Sequence, residues 1–248
     1  MDEKWAFVAK KEASCDPEDP ADRQCGDHWD HVGFDPEHRL VLAVVAGKRT
    51  AGNTPKRVDA CKARLGGRLP RLITTDEYPA YEGAILKAYG QRVTPPRTGK
   101  RGRPRAPYQV TPEDLHYAVV HKTREKGRVI EVAVRVIFGV LAAVMEAVAA
   151  SRVSRAINTA FIERYNGTDR HHNARKRRKT YCFSKDWAVP EAMTYFTMYS
   201  YNFCWPVRTL REKVDERWRP RTPAMAAGLA DHVWSMREWL SFPAVQQT

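Results

Sequence analysis

Three carboxylates in this sequence are spaced so that they could converge on one site. Asp2 precedes the short apolar segment 5–8, Asp76 follows the apolar run 72–75, and Glu163 lies in a later helical segment. Such residues at two strand ends and on a helix can together present hard oxygen ligands, which Mg²⁺ and Mn²⁺ prefer. Two such ions, about 3.5–4 Å apart, can activate an attacking oxygen and stabilise a leaving one. Each carboxylate taken alone fits a solvated surface position better than a metal site.

Apolar periodicity and turn residues predict the elements that must position these residues. The predicted strands are 5–8, 28–34, 39–46, 72–75 and 116–122, and the first three form a meander. The predicted helices are 54–65, opened by Thr54-Pro55 as cap and first turn, 81–89, 151–178 with a basic tail, 187–203, and 222–240, opened by Thr222-Pro223. The predicted order is βββαβαβ, followed mostly by helix.

Composition favours a polyanionic partner. The chain carries 42 Lys+Arg against 29 Asp+Glu, a formal charge of +13, so nucleic acid is the first candidate and a merely basic protein the alternative. Five cysteines without a CxxC pair indicate neither a disulfide framework nor a zinc ribbon. The start has no signal-peptide pattern, and charges and a glycine interrupt the apolar stretch 129–150. We therefore expect a soluble cytoplasmic protein that does not span a membrane.

The segments around the three carboxylates form motifs. They are MDEKWAFV followed by KK, ITTDEYPAY, and NTAFIERYN followed by Arg170, KT and CFSK. Together they resemble the catalytic domain of DDE transposases of the insertion-element-one type, and the C-terminal PAMAAGLADHVW is similar to endings of bacterial insertion-sequence transposases. The resemblance covers nearly the whole chain. It implies that Asp2, Asp76 and Glu163 are the catalytic residues and the ligands of two Mg²⁺ or Mn²⁺ ions.

The resemblance also implies a fold, an activity and partners. The expected fold is α/β: an RNase H-like, retroviral-integrase-like mixed sheet flanked by helices over residues 1–180, with a basic linker at about 92–112. Residues 181–248 would form a C-terminal helical extension packed on it. The implied activity is DNA cleavage followed by strand transfer, by a nucleoid-associated homo-oligomer on double-stranded transposon ends and target DNA. The alternatives are a nuclease or resolvase without strand transfer and a non-catalytic DNA-binding remnant.

Several basic residues are candidates for DNA contact. Arg170 is the basic residue that the family carries seven positions after its Glu, and seven residues place it on the helix face of Glu163. Arg164 and Asn166 match the same motif and are assigned to helix packing or the DNA backbone. The run after the helix and the linker, which looks like an AT-hook, add further cations. The alternative is a solvated face for the run and a disordered basic loop for the linker. These cations are Arg175, Lys176, Arg177, Arg178, Lys179, Lys100, Arg101, Arg103 and Arg105.

Other residues carry structural expectations. His28, His31 and His38 are expected at the surface of the meander, and Trp5 in the core. The aromatic residues of the segment 187–205 are also expected in the core: Tyr195, Phe196, Tyr199, Tyr201, Phe203 and Trp205.

The position of Asp2 at the second residue departs from the family, whose first metal-binding Asp lies inside a strand. Compared with the family, the chain lacks the upstream zinc-binding and helix-turn-helix segment, which an upstream reading frame could encode. A start placed too late, a second reading frame joined by frameshifting, and a decayed copy remain alternative explanations.

Overall fold

The chain is mixed α/β, as expected, and divides into two compact units. The computed structural model describes residues 1–50, 52–96 and 105–242. Its strands are β1 (Asp2–Val8), β2 (Gly26–Asp35), β3 (Leu40–Gly47), β4 (Ile73–Asp76), β5 (Gln91–Val93), β6 (Tyr108–Val110), β7 (Tyr117–Glu125), β8 (Arg128–Phe138), β9 (Glu212–Val214) and β10 (Arg217–Arg219). Its α-helices are α1 (Asn53–Arg64), α2 (Ala80–Tyr89), α3 (Leu141–Ala149), α4 (Ala160–His172), α5 (Ala188–Cys204), α6 (Pro223–Ala226) and α7 (Met236–Ser241).

The first unit contains residues 1–2 and 49–159 and is built on the sheet β4-β7-β8. β4 runs parallel to β7, with Asp76 opposite Val120, and β7 runs antiparallel to β8. The helices α1 and α2 pack their apolar sides into one core together with residues of β4 and β7. That core contains Val58, Ile73, Tyr81, Ile85, Leu115, Tyr117 and Val119.

β8 was missed by the sequence analysis, which predicted mostly helix after β7. Lys126 and Gly127, with φ of 47° and 79°, reverse the chain and set β8 beside β7. The β-branched residues of β8 suit this extended pairing. Gly139, with φ of 85°, ends the strand, and a Cβ there would lie 2.4 Å from Nδ1 of His116. A tight glycine turn therefore separates β8 from α3.

The second unit contains residues 3–48 and 160–248 and is built on the sheet β1-β2-β3, the predicted meander. The helix α5 lies on β3. The side-chain amide of Asn202 accepts from the Val41 amide and donates to the Val41 carbonyl, both at 2.9 Å. The apolar core of this unit contains Val32, Val41, Val44, Ile162, Tyr165, Met198 and Tyr201.

The helix predicted over 151–178 is shorter than expected, because α4 covers only Ala160–His172. Before α4, the Ser151 hydroxyl accepts from the amides of Val153 and Ser154 at 3.3 and 3.2 Å. After it, the Asn173 side chain accepts from the Arg175 amide at 3.2 Å. The Ser151 turn keeps residues 151–154 out of the helix, and the Asn173 side chain caps the short turn that follows α4.

Two other helix predictions need correction. Thr54 is not the cap of α1, which begins at Asn53 after Gly52, and its side chain is buried. Thr222 does cap α6 as predicted, but α6 ends at Ala226, close to Gly228 with φ of 71°. A capping box of Ser235 and Glu238 then starts the separate helix α7. The continuous helix over 222–240 was therefore wrong.

Residues 181–242 belong to the same compact unit as residues 160–180. The division into a catalytic domain over 1–180 and a C-terminal extension over 181–248 stays a prediction. The antiparallel strands β5 and β6 lie near the beginning and the end of the predicted linker 92–112. Residues 97–104, with Lys100, Arg101 and Arg103, lie outside the described residues, whereas Arg105 is described and exposed.

Candidate functional site

The first unit brings Asp2 and Asp76 to one locality, the amino group of Met1. That group donates to the Thr74 carbonyl at 2.8 Å, and Arg57 donates to the Asp2 carbonyl at 3.0 Å. Burial and then the Arg57 charge lower the pKa of the Met1 amino group, while the charges of Asp2 and Asp76 oppose this shift. The start of β1, with Asp2, therefore lies beside the strand that ends at Asp76.

Polar side chains surround the end of β4. The Thr75 hydroxyl lies 2.8 Å from the Tyr117 hydroxyl, and burial, with a smaller contribution from Asp76, raises the pKa of Tyr117 to about 12. Glu77 pairs with His121 and with Arg135, the latter at 3.4 Å. The hydrogen bond from His121 lowers the pKa of Glu77. The end of β4 therefore lies beside a tyrosine that stays protonated, Tyr117, and beside the paired charges of Glu77 and Arg135.

Glu163 belongs to the second unit and lies exposed in the first turn of α4. Carboxylates are favoured at this end of a helix because its free amides carry partial positive charge. Arg164 is also exposed and Arg170 is half-buried, whereas Asn166 is buried at 4% exposure. Of the two roles predicted for Asn166, burial favours helix packing over contact with DNA.

The predicted triad is thus divided between the two units. Asp2 and Asp76 lie in the first and Glu163 in the second. Throughout residues 1–50, 52–96 and 105–242, no group of three or more His, Cys, Asp or Glu side chains is arranged to hold a metal ion. Neither unit by itself therefore contains the three ligands.

Lys176 does not belong to the predicted DNA-contacting surface. It is 3% exposed, and its ammonium donates to Asp30 at 2.5 and 2.6 Å and also to the Thr194 hydroxyl. The other cations of the run, Arg175, Arg177, Arg178 and Lys179, are exposed. The prediction for Lys176 is therefore wrong, because its charge is neutralised inside the protein.

Lys176 is part of a buried ionic cluster that sequence reasoning missed. We define this cluster as Lys4, Asp30, Asp169 and Lys176. Lys4 lies 3.1 Å from Asp30 and pairs also with Asp169, which accepts from the Thr197 hydroxyl at 3.0 Å. Lys4 occupies the same every-second positions of β1 as the apolar residues Ala6 and Val8, and this spacing could have revealed that it points inward.

Burial and charge set the protonation of this region. Burial lowers the pKa of Lys4 to about 8. Although burial alone would raise it, the charges of Lys176 and Lys4 hold the pKa of Asp30 well below its usual range. Burial, followed by the charge of Lys176, lowers the pKa of His28 to about 4. The interior of this unit therefore favours a charged Asp30 and a neutral His28.

His28 and His31 are fully buried, so the expectation that they lie at the surface was wrong. His28 packs beside Trp187, with ring centroids 4.9 Å apart, and His31 lies 3.8 Å from Glu3. His38 is half-buried and its ring nitrogen lies 2.6 Å from Asp35.

The aromatic residues of 187–205 divide between core and surface. Tyr201 is buried as expected, but Tyr195 and Trp205 are 36% and 45% exposed. Phe196, Tyr199 and Phe203 are half-buried, and so is Trp5, because its strand turns Lys4 and Ala6 inward instead.

Comparison of the chain with protein-family models, with curated proteins and with solved structures finds no match. Within the described ranges, no helix has the length and apolar character needed to cross a membrane. The residues themselves therefore carry the functional argument.

Proposed function

We propose that the chain is the catalytic part of a DNA transposase with an RNase H-like fold, in which Asp2, Asp76 and Glu163 hold divalent metal. The observation that carries the proposal is that the start of β1, with Asp2, lies beside β4, which ends at Asp76, because the Met1 nitrogen donates to the Thr74 carbonyl at 2.8 Å. Two carboxylates on such neighbouring strand ends can offer hard oxygen ligands to one cation. The β1–β3 meander and the parallel pairing of β4 with β7 support the proposed fold.

The chemistry of the ligands fits Mg²⁺ or Mn²⁺. Asp2 and Asp76 are half-buried carboxylates at strand ends, and Glu163, which would be the third ligand, is exposed and accessible on α4. Hard oxygen ligands of this kind suit both ions. When bound, a pair of such ions would supply activation of the attacking oxygen and stabilisation of the leaving oxygen in an in-line displacement.

The chain's own residues would bind and orient the DNA. Arg170, two helical turns after Glu163, would bind a phosphate beside the reacting one. The exposed cations would neutralise phosphates along the backbone and make affinity depend on salt. The exposed cations in question are Arg105, Arg164, Arg175, Arg177, Arg178 and Lys179.

The proposed reaction has two steps. Water attacks a phosphodiester at the transposon end and breaks its P–O3′ bond, which leaves a 3′-hydroxyl and a 5′-phosphate. This 3′-hydroxyl then attacks a phosphodiester of the target, forms a new bond to its phosphorus and releases a 3′-hydroxyl of the target strand. Joining two transposon ends to one target requires that both ends be held together, so we propose that the chain acts as a homo-oligomer on DNA.

A strand-transfer assay tests this proposal. The substrate carries the inverted repeats read from the genomic DNA around the gene, a supercoiled plasmid is the target, and Mg²⁺ is present. Cut and joined products are both quantified. We expect Asp76→Asn and Glu163→Gln to reduce both to background, because each removes a metal ligand. Matched controls are Asp59→Asn on α1 and Glu146→Gln on α3, both exposed, which should leave both products in place.

The other outcomes identify the alternative functions. Cutting without joined products, lost in the same variants, would indicate a nuclease or resolvase. Salt-sensitive DNA binding without any metal-dependent cutting would indicate a DNA-binding remnant.

A further inference from the structure

The β9–β10 hairpin is an exposed two-stranded ribbon near the C-terminus. Its turn residues Asp215 and Glu216 have φ of 45° and 63°, and the Val207 amide donates to the Arg221 carbonyl at 2.9 Å where the ribbon begins and ends. The segment 208–221 carries six Lys and Arg residues and three acidic residues. An excess of cations is thus concentrated on one exposed element.

The pairing of the strands places an aromatic ring and two cations on one face. Lys213 lies directly opposite Trp218, and opposite residues of an antiparallel pair share a face. Arg211, two residues before Lys213, holds its guanidinium 4.2 Å from the centre of the Trp218 ring. Trp218 nevertheless remains 56% exposed. We call Arg211, Lys213 and Trp218 the Trp218 face.

The opposite face attaches the ribbon to the protein. Glu212 lies opposite Arg219 and pairs with Arg221 at 3.0 Å. Arg221 also donates to the Met225 carbonyl at 3.1 Å, and Arg219 donates to the Asp231 carbonyl at 2.9 Å. Arg219 and Arg221 therefore attach the ribbon to the protein. The Trp218 face is presented to solvent, where Lys213 pairs at 2.6 Å with the exposed Glu216, a partner that a phosphate can replace.

An exposed indole flanked by cations has the chemistry needed to bind a nucleic acid strand. A base can stack on the ring while the cations neutralise neighbouring phosphates. Bases in a duplex are already stacked on each other, whereas those of a single strand offer their faces. An acidic peptide would match the cations but would gain little from the ring. Charge and ring together favour a single strand.

We propose that the Trp218 face is a binding site for single-stranded DNA, with Trp218 stacking on a base and Arg211 and Lys213 contacting phosphates. This inference goes beyond the proposed catalysis, because the face contains none of the proposed metal ligands. Binding there requires no divalent metal. Its test can therefore fail or succeed independently of the strand-transfer assay.

The test measures binding of a fluorescently labelled single-stranded oligonucleotide to the full chain by anisotropy, in EDTA and over a range of salt. We expect Trp218→Ala to weaken binding about tenfold, because base stacking on one aromatic ring has roughly that effect. Trp218→Phe should retain most of the affinity. Arg211→Gln and Lys213→Gln should each reduce the slope of log affinity against log salt by about 0.7.

The matched control is Arg217→Gln, the same change of charge on the opposite face of the ribbon, where Arg217 pairs with Val214. It should lower the slope less than Arg211→Gln does. Circular dichroism shows whether each variant is folded. The proposal would be overturned if Arg217→Gln and Arg211→Gln changed the salt slope equally, or if Trp218→Ala left the affinity unchanged. It would also be overturned if Trp218→Ala lost more affinity for duplex than for single-stranded DNA, or if polyglutamate competed as well as the oligonucleotide.

Discussion

Four charged side chains share the interior of the second unit. The ionic cluster contains two lysines and two aspartates, so its formal charges balance. A buried ion pair gains little over an apolar pair of the same shape, because both ions lose hydration. Removing one partner is different, since the remaining charge is then buried without compensation. The cluster therefore makes stability sensitive to single substitutions.

We predict that Lys176→Met lowers the free energy of unfolding by about 3–5 kcal/mol, because Asp30 would lose a buried positive partner. Urea denaturation at neutral pH measures the change. The control is Lys179→Met, a similar substitution at an exposed position. A loss no larger than that of the control would contradict the structural role assigned to Lys176.

His28 should make the protein less stable in mild acid. In the folded chain, burial and then the charge of Lys176 lower the pKa of His28 to about 4, whereas in the unfolded chain it stays near its usual 6.5. The charge of Asp30 opposes this lowering but is outweighed. Lys4 and His31 add to the lowering. Between these pH values the unfolded state binds more protons, so the free energy of unfolding falls as the pH falls. The contribution of His28 is about 1 kcal/mol per pH unit at most.

Urea denaturation from pH 7 to pH 4 tests this expectation with His28→Phe, which keeps a ring beside Trp187. The variant should show a shallower loss of stability with acidification than the parent protein. Identical slopes would exclude His28 as the titrating group.

The sequence predicted some residues well because their environment is local. Asp76 could be placed at a strand end because the preceding apolar run and the following turn are adjacent in the chain. Lys176 could not be placed, since its partner Asp30 lies 146 residues earlier and its neighbours are exposed cations. A run of like charges predicts a solvated face, and only the tertiary fold reveals which member turns inward.

The turn of the β9–β10 hairpin is an element whose geometry conflicts with its residues. Asp215 and Glu216 both adopt the left-handed conformation, which L side chains disfavour and glycine accepts. We predict that Glu216→Gly stabilises the hairpin by roughly 1 kcal/mol. Slower hydrogen exchange of the β9 and β10 amides would show it.

Glu216→Ala separates this effect from loss of the Lys213–Glu216 ion pair, because it removes the carboxylate without relieving the backbone. Equal exchange rates in the two variants would contradict the strain argument.

Elements with a clear period could be predicted, and elements defined by turns could not. The β1–β3 meander, β4, α1, α2 and α5 follow from alternation or helical spacing within each segment. β8 lies in an apolar stretch without a decisive period, and the turn at Lys126 and Gly127 selects the strand. The breaks before α4 and α7 depend on serine side chains that bind the backbone, an interaction that periodicity does not register.

The whole molecule combines a basic surface with carboxylates divided between two units. The formal charge of +13 favours association with a polyanion, and most of the predicted cations that the structure describes are exposed. Charge alone specifies neither the chemistry nor the fold. The proposed function therefore depends on whether Asp2, Asp76 and Glu163 bind the same cations.

Iron-directed cleavage of the polypeptide tests this claim most directly. Fe²⁺ replaces Mg²⁺, ascorbate and peroxide generate hydroxyl radicals at the bound ion, and mass spectrometry maps the backbone cuts in the chain bound to DNA. We predict cuts near residue 76 and near residue 163 together, both suppressed by excess Mg²⁺ and both lost in Asp76→Asn. Cuts near only one of these positions, or cuts near 163 that persist in Asp76→Asn, would contradict a shared metal site.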